Sequence, residues 1–229
     1  VPWIACSDSA PTPVFPYIPS AGRAFAALAQ AAYCGPVERL RNWTCGPCRR
    51  AGIQIVPGSI RFIEEGELWN RNATFIYLAR VTTGFPQGDG CILSFRGSTN
   101  AANWVKDLQG WREMADFSGC PKCRVEAGFY SIWKRVEEKV LAHLSEVGCE
   151  SAEANATSSS NNLYLTGHSM GSAVSNLAMF MLEKRGYKVQ LSFNFESPRV
   201  GDAVYAESFK ARFGRKIPVY RITHAMDPV

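Results

Sequence analysis

Residues 167–171 read Gly-His-Ser-Met-Gly. They lie between a strand-like Leu-Tyr-Leu-Thr at 163–166 and a run from 170 to 185 with apolar residues at helical spacing. A strand that passes directly into a helix must bend sharply, and the residue at the apex is lifted above the end of the sheet. Residues two before and two after the apex crowd that bend, and glycine at both removes the Cβ atoms that would collide. The alternation continues downstream, with a strand over 189–195, a helix over 203–213 and a strand over 217–223. Strand and helix alternating over short links predict right-handed βαβ units. The expected fold class is therefore α/β, with a mostly parallel central sheet and helices on both faces.

Upstream, residues 22–33 carry Phe25, Leu28 and Ala32 at helical spacing, and residues 128–147 carry Phe129, Ile132, Trp133, Val136, Val140 and Leu144. Both stretches are read as helices. Residues 74–81 and 91–95 are short apolar runs and read as strands. Residues 1–20 hold five prolines and little periodicity, which predicts an extended arm before one domain over 21–229. In 229 residues, 46% apolar content supports a packed core, and no run of 18 uncharged apolar residues is present to span a membrane. The start, Val-Pro-Trp, lacks the basic and apolar segments of a signal peptide and reads as a mature N-terminus. A net charge of +5 with only short basic clusters such as Arg49-Arg50 reads as solvated surface, and no nucleic-acid partner is expected.

Eight cysteines accompany three sequons, at Asn42, Asn72 and Asn155. Together they predict a secreted, disulfide-bonded glycoprotein. Cys45-Gly-Pro-Cys48 and Cys120-Pro-Lys-Cys123 read as local loop disulfides. The first also matches a thiol–disulfide redox motif, but the following Arg-Arg-Ala-Gly lacks a helical apolar face. Cys91 lies in an apolar strand and is expected to stay free. Cys6 and Cys149 are open to pairing with each other or elsewhere.

A serine at such an apex is poised as a nucleophile. The Met170 N–H, at the start of a helix, is aimed where an oxyanion would form. Serine needs a base and an orienting carboxylate, and in sheets of this kind the order is serine, acid, histidine. Asp227 follows the last strand and fits the acid. Ala101, Trp104, Val105 and Leu108 stand at i, i+3, i+4 and i+7, one apolar face of a short helix. A lid over an acyl groove needs such a face, and a plain packed surface helix has the same pattern.

Seven ordered motifs resemble those of one family. They are Phe95-Arg-Gly-Ser98, Asn103-Trp-Val-Lys-Asp-Leu108, Gly119-Cys-Pro-Lys-Cys123, Gly128-Phe129, Thr166-Gly-His-Ser-Met-Gly171, Ser197-Pro-Arg-Val-Gly-Asp202 and Tyr220-Arg-Ile-Thr-His-Ala-Met-Asp-Pro-Val229. The chain resembles the class 3 lipase family, the fungal-type triacylglycerol lipases of the α/β-hydrolase superfamily. The segment Ala31-Ala-Tyr-Cys-Gly35 is similar too. The resemblance implies Ser169 as nucleophile, Asp227 as triad acid, Ser98 and Met170 as oxyanion donors, and residues 101–108 as the lid. It implies that Cys34 is bridged toward the C-terminal end. Glu196, where the family usually has glycine, and Ser172, where a small glycine is common, depart from the pattern and bear on substrate preference.

Of His143, His168 and His224, none follows Asp227, and His224 matches a supporting histidine of the family. Three accounts fit: a second polypeptide made by cleavage, a partial sequence, or a relative that binds lipid or protein without hydrolysis. The expected function is a secreted carboxylic ester hydrolase acting on acylglycerols at a lipid–water interface. It needs no cofactor and no metal. A second polypeptide carrying the histidine, linked through Cys34, is an expected partner. Phospholipase A1 and feruloyl esterase specificities remain open, as does a thiol oxidoreductase using Cys45 and Cys48.

Overall fold

The structure, a computed structural model, describes residues 15–66, 74–85, 87–98, 114–151 and 162–224. Helix α1 (Pro19–Ala31) is followed by two short helices, α2 (Val37–Arg41) and α3 (Gly46–Arg50). Strands β1 (Gln54–Ile55), β2 (Arg61–Glu65), β3 (Thr74–Thr83) and β4 (Gly90–Phe95) come next. A small ribbon, β5 (Met114–Asp116) with β6 (Arg124–Glu126), leads into α4 (Ala127–Glu146). The rest alternates: β7 (Asn162–His168), α5 (Met170–Lys184), β8 (Lys188–Phe195), α6 (Ala203–Phe213) and β9 (Val219–Ile222). Proline is tolerated in the first turn of a helix, where its missing N–H has no intrahelical partner. Thus α1 opens at Pro19, and the last two residues of the expected arm lie in its first turn.

Among the described residues seven strands form the main sheet, in the order β1, β3, β4, β7, β8, β9, with β2 beside β3 on the same edge as β1. Strands β4, β7, β8 and β9 pair in parallel, while β3 is antiparallel to β1, β2 and β4. Six of these seven strands therefore point one way. Such a sheet is covered on both faces, and the side chains of β3 show how. Ile76 and Leu78 enter one core with Trp133, Val136 and Leu177 from α4 and α5. Tyr77 and Ala79 enter the other with Phe25 and Leu28 from α1. This period of two is the strand's own geometry. The helical period is equally plain in α4, where Phe129, Ile132, Trp133, Val136, Val140 and Leu144 are all buried. Its first turn is capped by Glu126, whose carboxylate accepts from the Gly128 and Phe129 N–H groups at 3.0 and 2.8 Å.

Among the described residues three disulfides are formed: Cys45–Cys48, Cys120–Cys123 and Cys91–Cys149. The third corrects the expectation of a free Cys91 and closes the option of a Cys6–Cys149 bond. Beyond α4, Gly148 takes φ +76 and Cys149 follows, with its Cα 6.3 Å from that of Cys91 on the inner strand β4. An apolar neighbourhood alone could not reveal which segment returns to it. Cys45 is the N-cap of α3 and its disulfide lies on a short helix, not the expected loop. Cys45 and Cys48 are both buried, at 3% and 1% exposure. That burial removes the access a thiol oxidoreductase needs. Cys34 has no disulfide partner among the described residues, and partial burial pushes its thiol pKa up. Cys6 lies outside the described residues.

The Cys91–Cys149 bond closes a loop across a separation of 58 residues. Loop-closure entropy predicts that Cys91→Ala/Cys149→Ala lowers unfolding stability by about 3–4 kcal/mol. Urea unfolding checks this, and a loss below about 1 kcal/mol would assign the fastening of α4 to packing alone.

Candidate active site

Strand β7 ends at His168 and α5 begins at Met170, so Ser169 occupies the turn alone. Its backbone takes φ 55, ψ −129, a region that non-glycine residues rarely occupy. Neighbouring groups hold it there. The Ser169 N–H donates to the Phe195 carbonyl at 2.9 Å, and the buried Ser172 hydroxyl donates to the same oxygen at 2.7 Å. Ser172 therefore has a task in anchoring the turn. A Cβ at Gly167 would sit 2.6 Å from the Gly171 carbonyl group, and one at Gly171 would sit 2.2 Å from the Phe95 carbonyl oxygen. Both glycines are sterically required.

Ser169 is 7% exposed. Met170 is the first helical residue, so its N–H has no acceptor within α5. The segment after β4 approaches the turn closely. A Cβ at Gly97 would lie 2.4 Å from the His168 carbonyl oxygen and 3.1 Å from the Ser169 Cβ. Ser98, the next residue, is half-buried. The backbone after β4, the turn and the start of α5 thus converge above the C-terminal ends of the parallel strands. Open α/β sheets place their ligand sites at that end. A hydroxyl there, beside helix-terminal N–H groups, can add to a carbonyl while those groups receive the developing charge.

A chain of hydrogen bonds backs this arrangement. The Gly97 N–H donates to Tyr33 Oη at 2.9 Å, Tyr33 Oη meets His168 Nδ1 at 2.9 Å, and His168 Nε2 meets Glu196 Oε2 at 2.9 Å. Burial pushes the Tyr33 phenol above its ordinary pKa, so it stays protonated. Tyr33, His168 and Glu196 line a groove of about 960 Å³ with Arg23, Gln30 and His224. His143 lies on α4, its Nδ1 3.1 Å from Glu146 Oε2. Asn42 is exposed at the end of α2. Asp227, Ala101, Trp104, Val105, Leu108, Asn72 and Asn155 lie outside the described residues. The sequence did not disclose that Tyr33 and Glu196 reach the serine turn. The signals were Glu196 standing where glycine is usual and Tyr33 standing in the family-like segment 31–35.

The family model for Lipase (class 3) matches residues 92–229. A secreted mono- and diacylglycerol lipase A of Penicillium cyclopium is 35% identical over 138 residues, 60% of this chain and 41% of the relative. A phospholipase A1 of Oryza sativa subsp. indica is 29% identical over 157 residues, 60% of this chain and 34% of the relative. The chain thus spans well under half the length of these relatives. The crystal structure of an MDLA mutant form from Penicillium cyclopium superposes with a TM-score of 0.64 at 26% identity, covering 90% of this chain and 71% of that one.

Proposed function

The chain belongs to the class 3 lipase family, and from that premise we propose that it is a secreted ester hydrolase that cleaves acylglycerols through Ser169. The observation that carries this reading is the serine's left-handed backbone between two glycines that admit no Cβ. Ser169 Oγ attacks the ester carbonyl while a histidine oriented by Asp227 takes its proton. The Ser98 and Met170 N–H groups stabilise the tetrahedral oxyanion, each donor worth about 3–4 kcal/mol in comparable sites. The alcohol leaves, an acyl-enzyme forms on Ser169, and water releases the fatty acid. Residues 101–108 close over the acyl groove as a lid. The disulfides among the described residues support the secreted location.

The base is proposed to lie outside residues 1–229, on a polypeptide joined through Cys34. Both nitrogens of His168 are engaged, His143 meets Glu146, and Cys34 keeps a free thiol among the described residues. Intact mass of the native deglycosylated protein before and after reduction is expected to show release of a histidine-containing peptide. A single polypeptide of whatever length, with nothing released on reduction, would sink the proposed partner.

The reaction is tested by a fluorophosphonate label and by hydrolysis of mono-, di- and triacylglycerols alongside phosphatidylcholine. Labelling at Ser169 with acylglycerol turnover is the expected result. Turnover of phosphatidylcholine alone would move the specificity to that of a phospholipase A1. No label and no turnover would leave a lipid- or protein-binding relative.

A further inference from the structure

Glu196 has φ 49, a left-handed backbone that a side chain other than glycine seldom adopts. The residue is anchored there by its N–H, which donates to the Ile222 carbonyl at 2.8 Å. A carboxylate kept at a strained position suggests a task, and its contacts supply one. We propose that Glu196 is a positioning residue for the oxyanion hole: through His168 and Tyr33 it holds the Gly97 N–H, and with it the Ser98 backbone, against the serine turn. This rests on the reading of Ser169 as the nucleophile.

The donors and acceptors run in one direction. Gly97 N–H donates to Tyr33 Oη, so the phenolic hydrogen is free to go to His168 Nδ1. That nitrogen must then be the acceptor, and Nε2 carries the ring hydrogen and donates to Glu196. The opposite tautomer would set a nitrogen lone pair against a carboxylate. Glu196 therefore selects the tautomer in which Tyr33 is fully bonded, as second partners of a histidine commonly do. Register explains the reach: His168 ends β7 opposite Phe195 of β8, which places Glu196 one residue beyond. At the far end, Gly97 packs so closely on the His168 carbonyl that its position sets that of the next N–H. Small displacements of an oxyanion donor cost rate without changing substrate affinity.

The test uses Glu196→Leu, Glu196→Gln, Tyr33→Phe and the double variant Glu196→Leu/Tyr33→Phe in the full protein. Turnover on a soluble short-chain ester is measured with Tm and amide hydrogen exchange at Gly97. Tyr33→Phe is expected to lower kcat about tenfold and Glu196→Leu about fivefold, with KM within twofold. Glu196→Gln, whose amide oxygen still accepts from Nε2–H, recovers most of the loss. The double variant is no slower than Tyr33→Phe alone, because both act through one chain. Gly97 exchange accelerates in both single variants at unchanged Tm. Losses that multiply, or Gly97 exchange that Glu196→Leu leaves unchanged, overturn the proposal. If the wild-type protein neither hydrolyses esters nor takes the label at Ser169, the proposed function fails instead, and the exchange measurement still decides the linkage.

Discussion

Ser169→Ala is expected to lower ester hydrolysis by about four to six orders of magnitude while leaving stability within about 1 kcal/mol of wild type. The loss is large because the hydroxyl is the atom that forms the acyl-enzyme, and no neighbouring group substitutes for it. The fold should tolerate the change. The turn is held by the Ser169 N–H, by Ser172 and by the two glycines, all of which the variant keeps. Alanine at φ 55 has the same Cβ cost as serine, so strain is neither added nor relieved. A small residual rate is expected from the Ser98 and Met170 N–H groups, which would still polarise a bound carbonyl toward water. The measurement is kcat on a diacylglycerol emulsion, with phosphonylation followed by mass. Turnover retained within tenfold, with urea unfolding unchanged, would remove Ser169 from the mechanism.

The serine turn and the sheet that carries it were legible because their signals are local. A glycine on either side of a serine, after an apolar run and before a helical one, specifies the bend, and strands β7, β8 and β9 lie within a residue or two of their expected bounds. The long helix α4 was legible for the same reason, its apolar residues recurring at 3.6-residue spacing over 20 residues. The short elements upstream of β3 were not. Strands β1 and β2 and helices α2 and α3 are too short to show a period, and they exist because β3 and α1 offer them a partner. Cys91 was misjudged because its own neighbourhood is apolar, whereas its bond depends on where a separate segment returns. Glu196 and Tyr33 illustrate the same limit at the site. They are 163 residues apart in the chain and meet only through His168, which the parallel pairing of β7 with β8 brings beside one of them.

A single methyl group at position 171 should be more damaging than the loss of any one polar side chain of the site. In Gly171→Ala the new Cβ would lie 2.2 Å from the Phe95 carbonyl oxygen and 2.7 Å from the carbonyl carbons of Phe95 and Arg96. These are backbone atoms of an inner strand and its exit, so no rotamer change relieves the contact. Strand β4 is fixed by β3 on one side and β7 on the other. Helix α5 is buried along nearly its whole length and is tied to β8 through Ser169 and Ser172. Relief requires α5 to move off the sheet, which would open the core around Met170, Val174 and Leu177. Overpacking of that kind against immobile backbone is expected to cost more than about 4 kcal/mol, a large share of the roughly 5–15 kcal/mol that holds a domain together. Gly46→Ala is the matched control. Its Cβ would lie 3.3 Å from Arg50 Nη1, the end of a flexible side chain, and the residue opens helix α3 just before Pro47, so the added methyl meets no immobile backbone of another element but gains little as a helix former. That variant should stay within about 1 kcal/mol of wild type. Urea unfolding of the two variants side by side separates a general intolerance of added methyls from a steric requirement at the turn. A Gly171→Ala protein with a wild-type midpoint would mean that the approach of α5 to β4 is looser than this packing allows.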